Sequence, residues 1–243
     1  MQAVLETGVA ALLFAGTFLV RGGVHPFRTL IRDGRTVVSF GGGMAAAYVF
    51  VHVMPEMHDA RQTFVASMSV WLRYEGMAIY FVALLGFLAF YGLDHLRRRV
   101  GDADDTQSAG KAFRLHVGGF AAYVWLMAYL LAHYPGETRT PTVLYAVAIT
   151  FHFVGVDHAL RKEHGAAYER VGRFVLAAMC VAGWAAGLLH ALPPAVLALL
   201  VAFISGAIIM NSLIMELPSK KEGRFLPFMT GGVVYGLILL PLG

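Results

Sequence analysis

The sequence predicts an all-α membrane protein with eight transmembrane helices and both termini outside. The chain is 58% hydrophobic and only 14% charged, whereas about a quarter of the residues in soluble domains are charged. It divides into eight apolar segments, and its positive charges alternate between the junctions that connect them. The second and seventh segments also resemble each other, which indicates an internal repeat.

Each predicted span follows from a run of mostly apolar residues, of which about 20 are needed to cross a bilayer. In chain order, the runs cover residues 3–20, 37–56, 70–93, 115–134, 142–160, 171–191, 195–217 and 225–242. No Lys or Arg precedes the first run, so we expect a retained span rather than a cleaved signal peptide. Almost nothing remains for a soluble domain, and residues 1–243 are therefore predicted to form a single transmembrane domain.

Lysines and arginines are concentrated in alternate junctions. The first, third, fifth and seventh junctions hold 16 of the 19 basic residues. Because positive charge in short loops stays cytoplasmic, these junctions are predicted to lie on the cytoplasmic side. The predicted location is a bacterial inner (plasma) membrane. The basic residues form no continuous stripe, so nucleic acid is not an expected partner. The expected partners are the lipid bilayer and a divalent metal ion, and homodimer formation is left open.

The internal repeat relates residues 40–56 to residues 203–219 without a gap. The identical pairs are Phe40 and Phe203, Gly43 and Gly206, and Pro55 and Pro218. The charge pattern sends the two copies across the membrane in opposite directions, and inverted repeats of this kind are common in transporters. The predicted 3+2+3 organisation consists of a first half (1–94), a cytoplasmic linker (95–114), central helices four and five (115–165) and an inverted second half (166–243).

Two short motifs add a family resemblance. The second span ends in HVMPE at residues 52–56, and the seventh ends in MELPS at residues 215–219. Together with the eight spans and the inverted repeat, these motifs resemble the Zrt/Irt-like (ZIP) family of divalent metal transporters. The resemblance implies a permease rather than an enzyme, moving zinc or iron by alternating access. It also implies that the ion is cargo and that no cofactor is tightly bound.

The central spans depart from that family's pattern. Span four contains no carboxylate, and its family-like position is His116. In span five, His152 matches the first histidine of the family motif and Asp157 its last glutamate, while Phe153 and Val156 replace the ligands between them. The resemblance therefore assigns metal binding in this region to His152 and Asp157.

His152 and Asp157 are also candidates on physical grounds, because ionisable residues at membrane depth are costly unless they face a partner or a wet cavity. Five positions along a helix separate them by about 7 to 8 Å and about 140° of rotation. They are therefore expected to be successive stations rather than one pair. Alternatively, His152 is hydrogen-bonded to another helix and Asp157 pairs with Arg161 one turn later. The adjacent His158 is a further candidate.

His52 and Glu56 are four residues apart, on one helix face, and imidazole with carboxylate suits zinc or iron. We predict an outer metal station there; the alternative is that Pro55 ends the helix and Glu56 is simply solvated. Asn211, polar in the middle of span seven, is expected to line the same cavity or to hydrogen-bond another helix. Glu216 is predicted either to mark the cytoplasmic exit or to pair with Lys220.

Two other functions stay open from the sequence. One is an intramembrane zinc hydrolase, whose ligands would come from His116, His152, Asp157 and His158 and whose metal would activate a water molecule. The other is a ZIP-like scaffold without metal transport that serves another solute, protons or a partner protein.

Overall fold

The structure is a computed structural model that describes residues 2–20, 34–67, 75–101, 106–133, 139–212 and 223–240. All regular structure in these ranges is helical, which confirms the all-α class. The helices are α1 (Gln2–Leu19), α2 (Gly34–Tyr48), α3 (Met54–Ser67), α4 (Glu75–Gly101), α5 (Thr106–Ala132), α6 (Arg139–Ala167), α7 (Arg173–Leu189), α8 (Pro194–Met210) and α9 (Phe225–Leu239). Each of the eight predicted apolar segments overlaps at least one of them, and the segment 37–56 overlaps both α2 and α3.

Two π-helical turns join neighbouring helices. Residues Val49–Val53 connect α2 to α3, and residues Tyr168–Gly172 connect α6 to α7. Counted by continuity, the described residues therefore form seven helices. One of them is divided at Gly165, whose φ of 48° lies in the region that favours glycine.

Three helical stretches are long and apolar enough to cross a membrane. They are Gly76–Arg99, Gln107–Ala132 and His152–Leu189, the last of which contains the break at Gly165. Shorter apolar helices cover Val4–Leu19, Pro194–Met210 and Phe225–Leu239.

The chain forms two compact units, one of residues Met1–Gly23 and Leu88–Leu192 and the other of Val24–Phe87 and Pro193–Gly243. The first unit contains α1, the end of α4, α5, α6 and α7. The second contains α2, α3, the beginning of α4, α8 and α9.

In the first unit, α1 packs against both α6 and α7. The ring of Phe153 lies 5.3 Å from Phe14 and 5.4 Å from Phe18. On the α7 side, the Trp184 indole N–H donates to the Thr7 hydroxyl at 3.1 Å. The guanidinium of Arg173, at the start of α7, donates to the carbonyl of Leu19. Helix α7 therefore runs opposite to α1.

The chain reverses direction at the break in α6. The Arg161 guanidinium donates to the carbonyl of Val20, so α6 advances alongside α1 and α7 returns. The Tyr168 hydroxyl donates to Asp157 at 2.7 Å. A straight helix would separate these two residues by about 16 Å, so the contact requires the chain to turn back between them.

Helices α5 and α7 lie side by side and run in the same direction. A Cβ atom at Gly183 would collide with the carbonyl oxygen of Trp125, and one at Gly187 would crowd that of Tyr129. The Tyr129 hydroxyl donates to the carbonyl of His190 at 2.7 Å. Glycine thus permits the close backbone approach typical of helix pairs in membranes.

Helices α2 and α9 of the second unit form a similar glycine contact, also in the same direction. A Cβ at Gly43 would collide with the carbonyl oxygen of Phe228, and one at Gly231 with that of Phe40. At the start of the pair, the Arg224 backbone N–H donates to the Ser39 hydroxyl at 2.8 Å.

The rest of the second unit packs around a small apolar core from α3, α4 and α8. Its buried members are Ala60, Phe64, Ile79, Ala198 and Ala202. Ile79 shares this core with Ala198 and Ala202, and further along both helices Gly86 lies against the carbonyl of Phe203 and Gly206 against that of Ala83. Helices α4 and α8 therefore run in the same direction.

Two sequence-based expectations are wrong. Pro55 does not end the second helix, because α3 continues to Ser67 after the π-helical turn that precedes the proline. A proline removes one backbone hydrogen bond and crowds the carbonyl four residues earlier, and the wider turn accommodates it. The predicted linker at residues 95–114, which has the composition of a loop, is instead helical through Gly101 and again from Thr106, with 102–105 outside the described residues. Asp94 supports the first of these extensions by pairing with Arg97 and Arg98 one turn later.

The α2–α9 contact yields a stability prediction. Replacing Gly43 with Ala should destabilise the protein by about 1 to 3 kcal/mol, because the added methyl group has no space beside the α9 backbone. Gly41→Ala is the matched control, since among the described residues no heavy atom beyond its own helix lies within 4 Å of the position that its Cβ would occupy. Thermal unfolding in detergent micelles, followed by circular dichroism, measures the difference. Equal unfolding of the two variants would contradict the close helix contact.

Candidate metal centre

Three potential metal ligands converge in the first unit, where the first part of α5 meets the end of the part of α6 that precedes Gly165, here called the α6 arm. They are His116 on α5 and Glu163 and His164 on α6, and their ligand atoms all lie within 4.8 Å of one another. The two helices run in opposite directions, as the Tyr123–His152 contact further along confirms. His116 precedes Glu163 by 47 positions and His164 by 48, and the antiparallel arrangement brings the three side chains together.

The distances within the group suit a transition metal. His116 Nδ1 lies 2.9 Å from His164 Nε2, so one imidazole donates a hydrogen bond to the other. The Oε2 atom of Glu163 lies 3.4 Å from the same His116 nitrogen. In a tetrahedral zinc site with Zn–N bonds of about 2.0 to 2.1 Å, neighbouring ligand atoms are about 3.3 Å apart. A bound ion would therefore replace the shared proton after the rings separate by a few tenths of an ångström.

The group is buried on one side and accessible on the other. His116 is 2% exposed, His164 is half-buried, and the Glu163 side chain is 26% exposed. Aromatic rings hold both imidazoles: Phe120 lies 5.1 Å from His116, and Phe113 lies 5.3 Å from His164. Three protein ligands with an accessible side leave a coordination position open, unlike the closed four-ligand sites of structural zinc.

Gly165 ends the arm directly after the two α6 ligands. Its φ of 48° and ψ of −121° would strain any other residue. In the part of the chain that the structure describes, no heavy atom apart from those of the adjoining backbone lies within 4 Å of the position that its Cβ would occupy, so backbone conformation rather than space requires glycine here. The reversal leaves Glu163 and His164 on the last helical turn before the chain turns back.

His152, the main sequence-based candidate, lies elsewhere along α6. It is buried, and its Nε2 atom lies 2.7 Å from the Tyr123 hydroxyl. Glu163 is eleven residues further along, which corresponds to about 16 Å. The hydrogen bond to a neighbouring helix is the alternative that the sequence left open; metal binding by His152 stays a prediction.

Asp157 is also buried, within a network of hydrogen bonds. Its carboxylate accepts from Arg161 at 3.0 Å and from the Tyr168 hydroxyl at 2.7 Å. The expected pairing with Arg161 is therefore confirmed. The neighbouring His158 is exposed. Metal binding by Asp157 or His158 stays a prediction.

The remaining candidates belong to the second unit. His52 lies within the π-helical turn and is buried, with its Nε2 atom 3.8 Å from Glu56 Oε2, so the predicted proximity exists. Asn211 is also buried. Their assignment as ligands stays a prediction, and Glu216 lies outside the described residues.

Glu163 and His164 are not among the sequence-based candidates, because they fall in the junction after span five. The sequence nevertheless contains an indication that they lie near His116. The charge pattern places that junction on the same side of the membrane as the beginning of span four, where His116 lies. Glu163 and His164 directly precede a glycine there, and potential ligands that share a membrane face can converge.

Comparison with known proteins adds no assignment: no family model matches the chain, no curated protein is significantly similar in sequence, and no solved structure is significantly similar.

Proposed function

We propose that this chain is an integral membrane protein that binds a divalent transition metal, zinc or iron, at His116, Glu163 and His164. The observation that carries the proposal is the convergence of two imidazoles and one carboxylate from two helices. Imidazole and carboxylate together suit zinc and iron. One side of the group is accessible, which allows the ion to enter and leave.

We further propose that the protein transports this metal as a ZIP-like permease. The helix directions support the required topology. The alternation of basic residues predicts that four pairs of spans run in the same direction: one with five, two with eight, three with seven, and four with six. It predicts that two pairs run in opposite directions: one with six, and four with five. The contacts within each unit agree with all six relations.

The site's position in this topology favours a role at the cytoplasmic end of the pathway. His116 lies near the beginning of span four, and Glu163 and His164 lie in the junction after span five, both predicted to be cytoplasmic. A transported ion needs ligands that release it, and an open three-ligand site exchanges metal more readily than a closed one. His152 would then be a station nearer the middle of the membrane.

A zinc hydrolase is the second candidate, and the same ligand set favours it. Two histidines and one glutamate with an open position are the protein ligands of several zinc hydrolases, in which the metal activates a bound water. Metal content separates the two functions: a hydrolase retains about one zinc ion per chain through purification, whereas a permease loses it during dialysis against a chelator.

The metal site predicts a specific loss of binding. In detergent micelles, His116→Ala and His164→Ala should each lower zinc affinity at least about tenfold, because each removes one of three ligands. His190→Ala is the matched control, since His190 is exposed and lies outside the group. Competition with a fluorescent zinc chelator measures all three. Unchanged zinc affinity in both ligand variants, or an equal loss in His190→Ala, would contradict the proposed site.

Transport predicts uptake by proteoliposomes. Vesicles containing the wild-type chain should accumulate radioactive zinc or iron above empty vesicles, and Glu163→Gln should reduce the initial rate because it removes the anionic ligand. Gln62→Glu serves as a control for altered charge, because Gln62 is exposed, pairs with His58 and is not a member of the group. Absence of uptake for zinc, iron and manganese would contradict transport but not metal binding.

A further inference from the structure

An arginine from a third helix contacts the candidate ligand Glu163. Arg97, near the end of α4, forms an ion pair with the Oε1 atom of Glu163 through its NH1 group. The other two nitrogens of the same guanidinium donate to Asp94 Oδ1, Nε at 3.2 Å and NH2 at 2.7 Å. All three guanidinium nitrogens therefore contact one of two carboxylates.

This arrangement fixes the arginine firmly. Asp94 is 7% exposed, and the Arg97 side chain is 14% exposed. Asp94 lies one turn before Arg97 on α4, so helix geometry holds the pair together. A guanidinium presents its donors in a planar fork that matches carboxylate geometry, which makes such contacts directional as well as strong.

The two oxygens of Glu163 have different partners. Oε1 faces Arg97, while Oε2 lies 3.4 Å from His116 Nδ1. Arg97 therefore does not occupy the oxygen that would bind a metal. It instead fixes the carboxylate with Oε2 directed at the two histidines.

We propose that Arg97, held by Asp94, is a positioning residue that orients Glu163 for metal binding. The inference rests on the proposed metal site and adds a third helix to it. Outer groups that hydrogen-bond a metal ligand fix its orientation, and their loss typically lowers metal affinity about 10- to 100-fold. The positive charge of Arg97 opposes cation binding, but the carboxylate of Asp94, which Arg97 shares with the exposed Arg98, offsets part of that charge at hydrogen-bond distance. In this proposal the gain from orienting Glu163 outweighs the remaining repulsion.

The opposite role for Arg97, as a resident cation that competes with the metal for Glu163, predicts the opposite result. A competitor's removal would free the carboxylate and raise zinc affinity. The sign of the change in affinity on replacing Arg97 therefore separates the two roles.

The test compares two adjacent arginines in the full-length protein, purified in detergent micelles. Arg97→Gln should weaken zinc binding about 10- to 100-fold. Arg98→Gln is the matched control, because Arg98 also pairs with Asp94, at 2.9 Å, but its side chain is 62% exposed and its described ion pair is with Asp94. Its zinc affinity should stay within about twofold of wild type. Arg97→Lys should be intermediate, since one ammonium group cannot span both carboxylates as the fork does.

Cobalt(II) provides a readout that general destabilisation would not imitate. Its visible absorption reports the number and geometry of the ligands, so Arg97→Gln should change the spectrum of the bound ion while Arg98→Gln should not. Should Arg97→Gln fail to fold, Arg97→Lys carries the test, and wild-type affinity in that variant would overturn the proposal.

The outcomes separate this inference from the metal site itself. If the wild-type chain binds no zinc, or if His116→Ala binds it normally, the proposed site is wrong and the role of Arg97 with it. If the wild-type chain binds zinc through His116 but Arg97→Gln binds it equally or more tightly, the metal site stands and the positioning role is overturned.

Discussion

The contact between His116 and His164 depends on the antiparallel packing of α5 against the α6 arm. A nitrogen–nitrogen distance of 2.9 Å between two imidazoles requires the two helices to be held at a defined separation and register. The hydrogen bond between Tyr123 and His152 fixes the same pair of helices further along. The candidate site is therefore a consequence of two antiparallel helices that side-chain hydrogen bonds connect at two levels, with the potential ligands at the level where the α6 arm ends.

Glycine has a related role in both units. The α5–α7 and α2–α9 pairs each approach so closely that a methyl group at the contact would collide with a backbone carbonyl. Lipid tails are as apolar as the side chains they would replace, so helices in membranes associate mainly through such tight packing and through interhelical hydrogen bonds. The contacts with Tyr129, Ser39 and Thr7 provide hydrogen bonds beside these packed surfaces. In the first unit, this packing holds in place the helix that carries His116.

Much of the fold could be predicted from the sequence because hydrophobicity and charge act over whole segments. Apolar runs of span length predicted the helices, and the alternation of basic residues predicted relative directions that agree with the contacts. Local exceptions were harder to predict. A proline usually signals the end of a helix, but the π-helical turn before Pro55 lets the helix continue. The charged residues 95–101 have loop composition, yet pairing with Asp94 continues the helix.

The candidate site was less predictable than the fold. A family pattern points to His116, whereas Glu163 and His164 fall in the junction after span five, where no pattern singles them out. Their position depends on a chain reversal at one glycine and on an arginine from another helix, which are tertiary features without a sequence period. Residues with clearer sequence signals, such as Asp157, have partners in a hydrogen-bond network instead.

The proposed metal site requires His116, Glu163 and His164 to bind one divalent transition metal together. Crystals soaked in zinc and measured at the zinc absorption edge would locate the ion by anomalous scattering. We expect a peak between the first part of α5 and the end of the α6 arm, within bonding distance of all three side chains. A peak beside His52 and Glu56 alone, or no peak in a fully soaked crystal, would contradict it.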